Sequence, residues 1–341
     1  MKKIRLIALI LTLVLSLSVL LVACDTAPET DTQKGSDQES EVTLDRDLKI
    51  NITVLNGTTG FGAAKMISDT KDGKSELNYN FAVDTNPANI QAGLINGSID
   101  IAALPTNAAA ALYKKSNGAV KIAAVNTLGV LYLMTNGEEI ASIADLNGKT
   151  VYCPANNPAY IFEAILTANG LKVGEDVTLQ TLTEPADVQK ALASGEAKIA
   201  VLPEPLASAA RAANNNLKTP LDFTAEWEKA YGENTLMQGC IVVRTEWAEA
   251  HANELAKFLK DYKASIEFTN SNAKNASEMI VAAGIFAKAP IAEKAIPKCN
   301  IVYIDGGEMA EALNVFLTKL FAVNPKAVGG AIPDSNIYLA K

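Results

Sequence analysis

Histidine is almost absent: His251 is the one imidazole in 341 residues. It sits in an Ala/Glu-rich helical stretch that reads as solvent-exposed. That excludes sites built on clustered imidazoles, and no Ser/His/Asp set or acid/base pair can be assigned. Cysteine is scarce, with four in the chain and no C-x-x-C spacing, so neither a zinc site nor any other metal or cofactor is expected. Basic patches are missing too. The formal charge is −8, and without clustered Lys and Arg nucleic acid and anionic membrane surfaces are not expected partners. Aromatic residues make up 6%, so most are needed for the core.

The glycine-rich stretch LNGTTGFGAAKM at residues 55–66 lacks what a nucleotide loop needs. Gly57 and Gly62 have P-loop spacing but are followed by Ala63 and Ala64 instead of Lys and Ser/Thr, and Lys65 stands where a dinucleotide fingerprint needs its third glycine. What remains is a tight strand-to-helix turn whose backbone a ligand could approach closely.

What is present begins at the amino end. Residues 1–23 read as an export signal: Lys2, Lys3 and Arg5, an apolar run, then small residues before Cys24. Leu21-Val22-Ala23-Cys24 resembles a bacterial lipobox, which implies cleavage before Cys24 and lipidation of it. Loss of the signal would take the formal charge from −8 to −11. Residues 24–47 hold almost no large apolar side chain and read as a disordered tether. The expected location is the outer face of the cell membrane, held by lipid. Export permits a disulfide, but Cys153, Cys240 and Cys299 are an odd number. A bridge between Cys240 and Cys299, each preceding an apolar strand-like run, is the expectation carried forward.

The rest alternates strand-like and helix-like segments, which predicts α/β layers, and contains a repeat. TNPANIQAGLINGSIDIAALP (85–105) and TEPADVQKALASGEAKIAVLP (183–203) align without a gap, with ten of twenty-one positions identical. Each reads as helix, glycine turn, strand, then a proline loop opening another helix. This describes two similar lobes. In open α/β sheets ligands gather beyond the carboxyl ends of the strands, which points to NGTTGFG, the Asp84–Asn86 turn with Thr85, LPTN, CPANNPAY and LPEP.

With these motifs and ADLNGKTVY the chain resembles an ABC-transporter substrate-binding lipoprotein of the nitrate/sulfonate/taurine group, which also includes proteins that bind thiamine-pyrimidine precursors. The resemblance implies the type II periplasmic-binding architecture: two lobes, a hinge and an interlobe cleft. Crossings are expected near 129–136 and 238–244, giving lobe 1 as 48–135 with 242–341 and lobe 2 as 136–241. It implies a monomer that captures a small organic nutrient, a heteroaromatic vitamin precursor or a sulfonate, and delivers it to a permease. The alternatives are an enzyme resembling those of menaquinone synthesis and a sensor without transport. The matching ligand positions are Thr58, Thr59, Gly60 and Phe61; Thr106 and Asn107; Asn126 and Thr127; Asn156, Asn157 and Tyr160; and Glu204. Thr85 joins them from its turn. No Arg or Lys is fixed in these loops, which favours a heterocycle stacked on Phe61, Tyr160 or Trp227 over an inorganic anion.

Overall fold

The computed structural model describes residues 43–339; the export signal, Cys24 and most of the tether lie outside them. Apolar runs with β-branched residues become strands, and the segments of helical period between them become helices. The chain begins β1 (Lys49–Leu55), α1 (Thr58–Phe61), α2 (Ala64–Lys71), β2 (Asn78–Asp84), α3 (Pro87–Asn96), β3 (Ile101–Pro105), α4 (Thr106–Lys115) and β4 (Val120–Thr127). It continues through β5 (Leu131–Thr135), β6 (Thr150–Pro154), α5 (Asn157–Ala168), β7 (Thr178–Leu182), α6 (Pro185–Ser194), β8 (Ile199–Pro203), α7 (Leu206–Ala213), β9 (Lys218–Asp222) and α8 (Phe223–Tyr231). The last part is β10 (Gly239–Arg244), α9 (Thr245–Ala250), α10 (Ala252–Ser271), α11 (Ala273–Ala282), α12 (Ala289–Ala295), β11 (Ile301–Ile304) and α13 (Gly306–Val323).

Two sheets form, ordered β11-β4-β10-β3-β1-β2 and β7-β6-β8-β5-β9. The repeat accounts for both. In each, a parallel trio (β2-β1-β3 or β7-β6-β8) is followed by one antiparallel strand, β10 or β5, and then β4 or β9. The repeated helices α3 and α6 end on Gly97 and Gly195, both left-handed at φ 80°, where glycine carries no Cβ penalty. The following strands β3 and β8 share one burial pattern along IAALP and IAVLP.

The antiparallel strands are where the chain changes lobe, and they shift the expected boundaries. β5 pairs with β8 (Leu133 opposite Val201) and so belongs to the second sheet. β10 pairs with β3 (Ile241 opposite Ala103) and belongs to the first. The chain passes from one sheet to the other through residues 128–130 and 232–238, so Leu131–Thr135 lie in the second sheet and residues 239–241 in the first. The lobes also share apolar packing, because α13 lies against both α4 and α5 and one core cluster includes Phe162, Trp227 and Phe316. The tether stops earlier than expected. Leu44 packs on the lobe 1 core, Asp45 N–H donates to Glu254 Oε1 at 2.8 Å, and Arg46 pairs with Glu76 at 2.8 Å.

The expected Cys240–Cys299 bridge is not formed. Cys153, Cys240 and Cys299 are free and buried. Cys240 packs in one core cluster and Cys299 in the other, so the two side chains are committed to different cores. Burial pushes the Cys240 thiol up to about 12, with the neighbouring Thr106 hydroxyl opposing. Burial likewise raises Cys153 and Cys299. Thiols so placed are poor nucleophiles. The folded protein should resist thiol-reactive reagents at neutral pH, react fully in denaturant, and show one mass with and without reductant.

Candidate functional site

The carboxyl ends of β3 and β4 meet the start of β10, where Gly239 is opposite both Pro105 and Thr127. Just before it lies Gln238, nine-tenths buried. Its backbone N–H donates to Thr127 O at 3.0 Å and its carbonyl accepts from Thr106 N–H at 3.1 Å. Its side-chain Oε1 accepts from Val130 N–H at 2.8 Å. One residue thus holds the second crossing against the first and against the start of α4. The first crossing is fixed from the other side by Asn300, whose carbonyl accepts from Leu128 N–H at 3.0 Å and whose amide donates to Gly129 O at 2.6 Å.

From there the bonds run into both lobes. Asn126 Nδ2 donates to Thr59 O at 3.0 Å and to the Tyr262 hydroxyl at 2.9 Å, while its Oδ1 accepts from Thr127 Oγ1 at 3.0 Å. Val130 O accepts from Glu204 N–H at 2.9 Å. Thr58 Oγ1, in lobe 1, donates to Glu204 O, in lobe 2, at 3.2 Å. A second link between lobes is Tyr132 OH donating to Lys298 O at 3.0 Å. Thr58, Thr59, Thr106, Asn126, Thr127 and Glu204 are therefore brought into one network across the lobes.

Several of these residues are occupied by the protein itself, which corrects the roles expected of them. The Glu204 carboxylate accepts from Ser208 N–H (3.0 Å), Ser208 Oγ (3.0 Å) and Arg211 (2.6 Å). It caps α7 and neutralises a partly buried guanidinium. Asn126 spends its whole amide on protein partners, Thr59 of α1, Tyr262 of α10 and Thr127 of β4. Gly60 is required by packing, since a Cβ there would lie 2.2 Å from Leu55 O. Phe61 is fully buried in the lobe 1 core, edge-on to Phe286 with centroids 6.3 Å apart. Trp227 is buried against Tyr231 and Phe316 and donates to Thr235 at 3.0 Å. Neither ring offers a face to a heterocycle. His251 is half-buried and tilted on Trp247 instead of free in solvent.

Three side-chain atoms remain buried without a hydrogen-bond partner at the starts of two helices: Thr106 Oγ1 and Asn107 Oδ1 on α4, and Asn157 Oδ1 on α5. No side chain caps either helix. Asparagine followed by proline, as at Asn157-Pro158, is the sequence pattern of a helix cap. The cap position is instead Asn156, exposed and held at φ 64°, which leaves Asn157 in the first turn. A fourth unpartnered atom, Thr135 Oγ1, lies at the opposite end of β5, across from Ile199 and not Pro203. Tyr160, half-buried beside the core, stays near the start of α5. Thr85 is exposed beyond the edge strand β2, outside the network. Unpartnered buried polar atoms each cost about 1–3 kcal/mol, and two helix starts add backbone N–H groups suited to an oxyanion. Among the described residues no group of His, Cys, Asp and Glu could hold a metal.

Residues 74–285 match a family described as the phosphonate periplasmic substrate-binding proteins of ABC transporters. The chain belongs to that family. Like its other members, this substrate-binding protein serves an ABC import system outside the cytoplasm and takes a small molecule to a permease. Solved structures similar to it share the fold. An ABC transporter protein from Parabacteroides distasonis is 24% identical, with 86% of this chain and 99% of that one covered and a TM-score of 0.72. The periplasmic aliphatic sulphonate binding protein SsuA of Escherichia coli is 16% identical, with 86% and 92% covered and a TM-score of 0.70. The alkanesulfonate-binding protein SsuA from Xanthomonas axonopodis pv. citri, bound to MOPS, is 12% identical, with 86% and 96% covered and a TM-score of 0.63. No curated protein matches the chain in sequence. The resemblance read from the sequence is borne out for the fold and the transport role.

Sequence reasoning missed Gln238, Asn300, Tyr132 and Tyr262. A signal existed for the first. In LMQGCIVV a single polar side chain stands inside an apolar run, and a buried amide must find partners.

Proposed function

We propose that the protein captures a small organic oxyanion of the phosphonate or sulfonate class, one that also carries hydrogen-bond donors, between its two lobes. The observation that carries this is the set of unpartnered atoms at the uncapped starts of α4 and α5. Helix-start N–H groups and the Thr106 hydroxyl serve the anionic head. Asn107 Oδ1 and Asn157 Oδ1, as acceptors, call for an amine or hydroxyl on the ligand. The loss of Phe61 and Trp227 to the core moves the balance away from a heteroaromatic ligand. The family and the sulfonate-binding neighbours favour the same class.

The protein binds without turning its ligand over, a reading supported by the commitment of Glu204 to Ser208 and Arg211. It acts as a monomer tethered through a lipidated Cys24, with the lobes closing about residues 128–130 and 232–238. Thermal-shift screening against aminoalkyl phosphonates, alkanesulfonates, nitrate and pyrimidines tests the ligand class. Ligand bound only to the folded state raises the melting temperature, so a phosphonate or sulfonate should give the largest rise. A rise confined to pyrimidines would refute the assignment.

A further inference from the structure

Gln238 does more than fasten the crossings. Its Oε1 is used by Val130 N–H, whereas its amide nitrogen makes no hydrogen bond within the described residues. The residue is 9% exposed, and the backbone bonds on either side place it between Thr106 and Thr127. Because Val130 N–H requires an acceptor, the amide is oriented with its oxygen on the crossing and its N–H₂ group away from it. We infer that Gln238 is a specificity-determining ligand residue, whose N–H₂ group donates to an oxygen of the bound oxyanion while Oε1 ties that contact to the first crossing. The inference rests on the oxyanion reading and adds the residue that couples ligand to hinge. A preorganised donor of this kind costs little entropy on binding, and it registers the ligand at the point where both crossings and the start of α4 meet.

The test is Gln238→Glu in the full-length protein, titrated with 2-aminoethylphosphonate and 2-aminoethanesulfonate, which carry both the oxyanion and an amine donor. The introduced carboxyl keeps an acceptor for Val130 N–H but replaces the donor with a negative oxygen. At neutral pH the affinity for both probes should fall roughly 10- to 100-fold or more, the cost of losing a hydrogen bond to a charged group. The sulfonate of 2-aminoethanesulfonate stays ionised in acid, so its binding should recover as pH falls and the introduced carboxyl regains an O–H donor. A purely structural role would give no such recovery. Gln238→Met removes both functions and should bind weakly at every pH, which keeps the test decisive if the glutamate variant folds poorly.

Unchanged affinity in Gln238→Glu and Gln238→Met, with Thr106→Val and Asn157→Ala weakened, overturns this inference alone. Loss of affinity in Gln238→Glu with no recovery in acid also overturns it. Wild-type protein that holds neither probe overturns the oxyanion reading and this inference together.

Discussion

Thr106→Val is expected to make the unliganded protein more stable and its ligand complex weaker. The side chain is fully buried, and its Oγ1 has no hydrogen-bond partner beyond a weak interaction with the soft sulfur of Cys240. Valine has the same shape without the hydroxyl. Removing a desolvated, unpaired polar atom should return about 1 kcal/mol of stability, the low end of the cost of leaving one buried. If the hydroxyl is unpaired because it waits for ligand oxygen, the same change should cost ten-fold or more in affinity. Chemical denaturation without ligand and calorimetry with it measure the two sides. Lower stability with unchanged affinity would mean that Thr106 serves the fold and not the cleft. Opposite movement of stability and function is what a site made to be filled should give.

Arg211→Ala is the substitution expected to damage the fold most. The Glu204 side chain is completely buried and that of Arg211 is 24% exposed. Arg211 bonds Glu204 Oε1, Ser208 Oγ and Thr219 Oγ1 at 2.6, 2.8 and 2.9 Å. Truncating the guanidinium strands a carboxylate that has only Ser208 left, and breaking a buried pair from one side costs about 3–5 kcal/mol. The consequence reaches the cleft, because the carbonyl of Glu204 accepts from Thr58 across the lobes. Urea unfolding should show the loss, and adding Glu204→Gln to Arg211→Ala should recover part of it. A loss under about 1 kcal/mol, the range of exposed pairs, would show that the carboxylate finds water instead.

Much of the architecture was legible because the repeat is written in residues whose roles are local. Glycine at 97 and 195 ends a helix, and IAALP and IAVLP are short buried strands in any context. The lobe boundaries were not legible. LYLMT and GCIVVR are equally apolar, and only pairing at long range decides that Leu133 meets Val201 and Ile241 meets Ala103. The same limit governed the site. Thr106, Asn107 and Asn157 stand out in loops that open helices, and there they are. Phe61 was misread because the direction of one ring depends on the cluster it joins, which includes Ile285, and nothing beside Phe61 in the chain encodes that. Asn126 and Glu204 were found for their polarity, yet polarity alone cannot say whether a buried group serves a ligand or its neighbours.

The most direct test of the central claim is calorimetric titration of the full-length protein with 2-aminoethylphosphonate, methanesulfonate and a neutral pyrimidine. A site framed by two uncapped helix starts and unpartnered threonine and asparagine atoms predicts saturable binding of at least one of the two oxyanions at one molecule per chain. It also predicts that the heat is lost in the Thr106→Val, Asn157→Ala double variant. Saturable heat with the pyrimidine alone, or oxyanion binding untouched by the double variant, would contradict it.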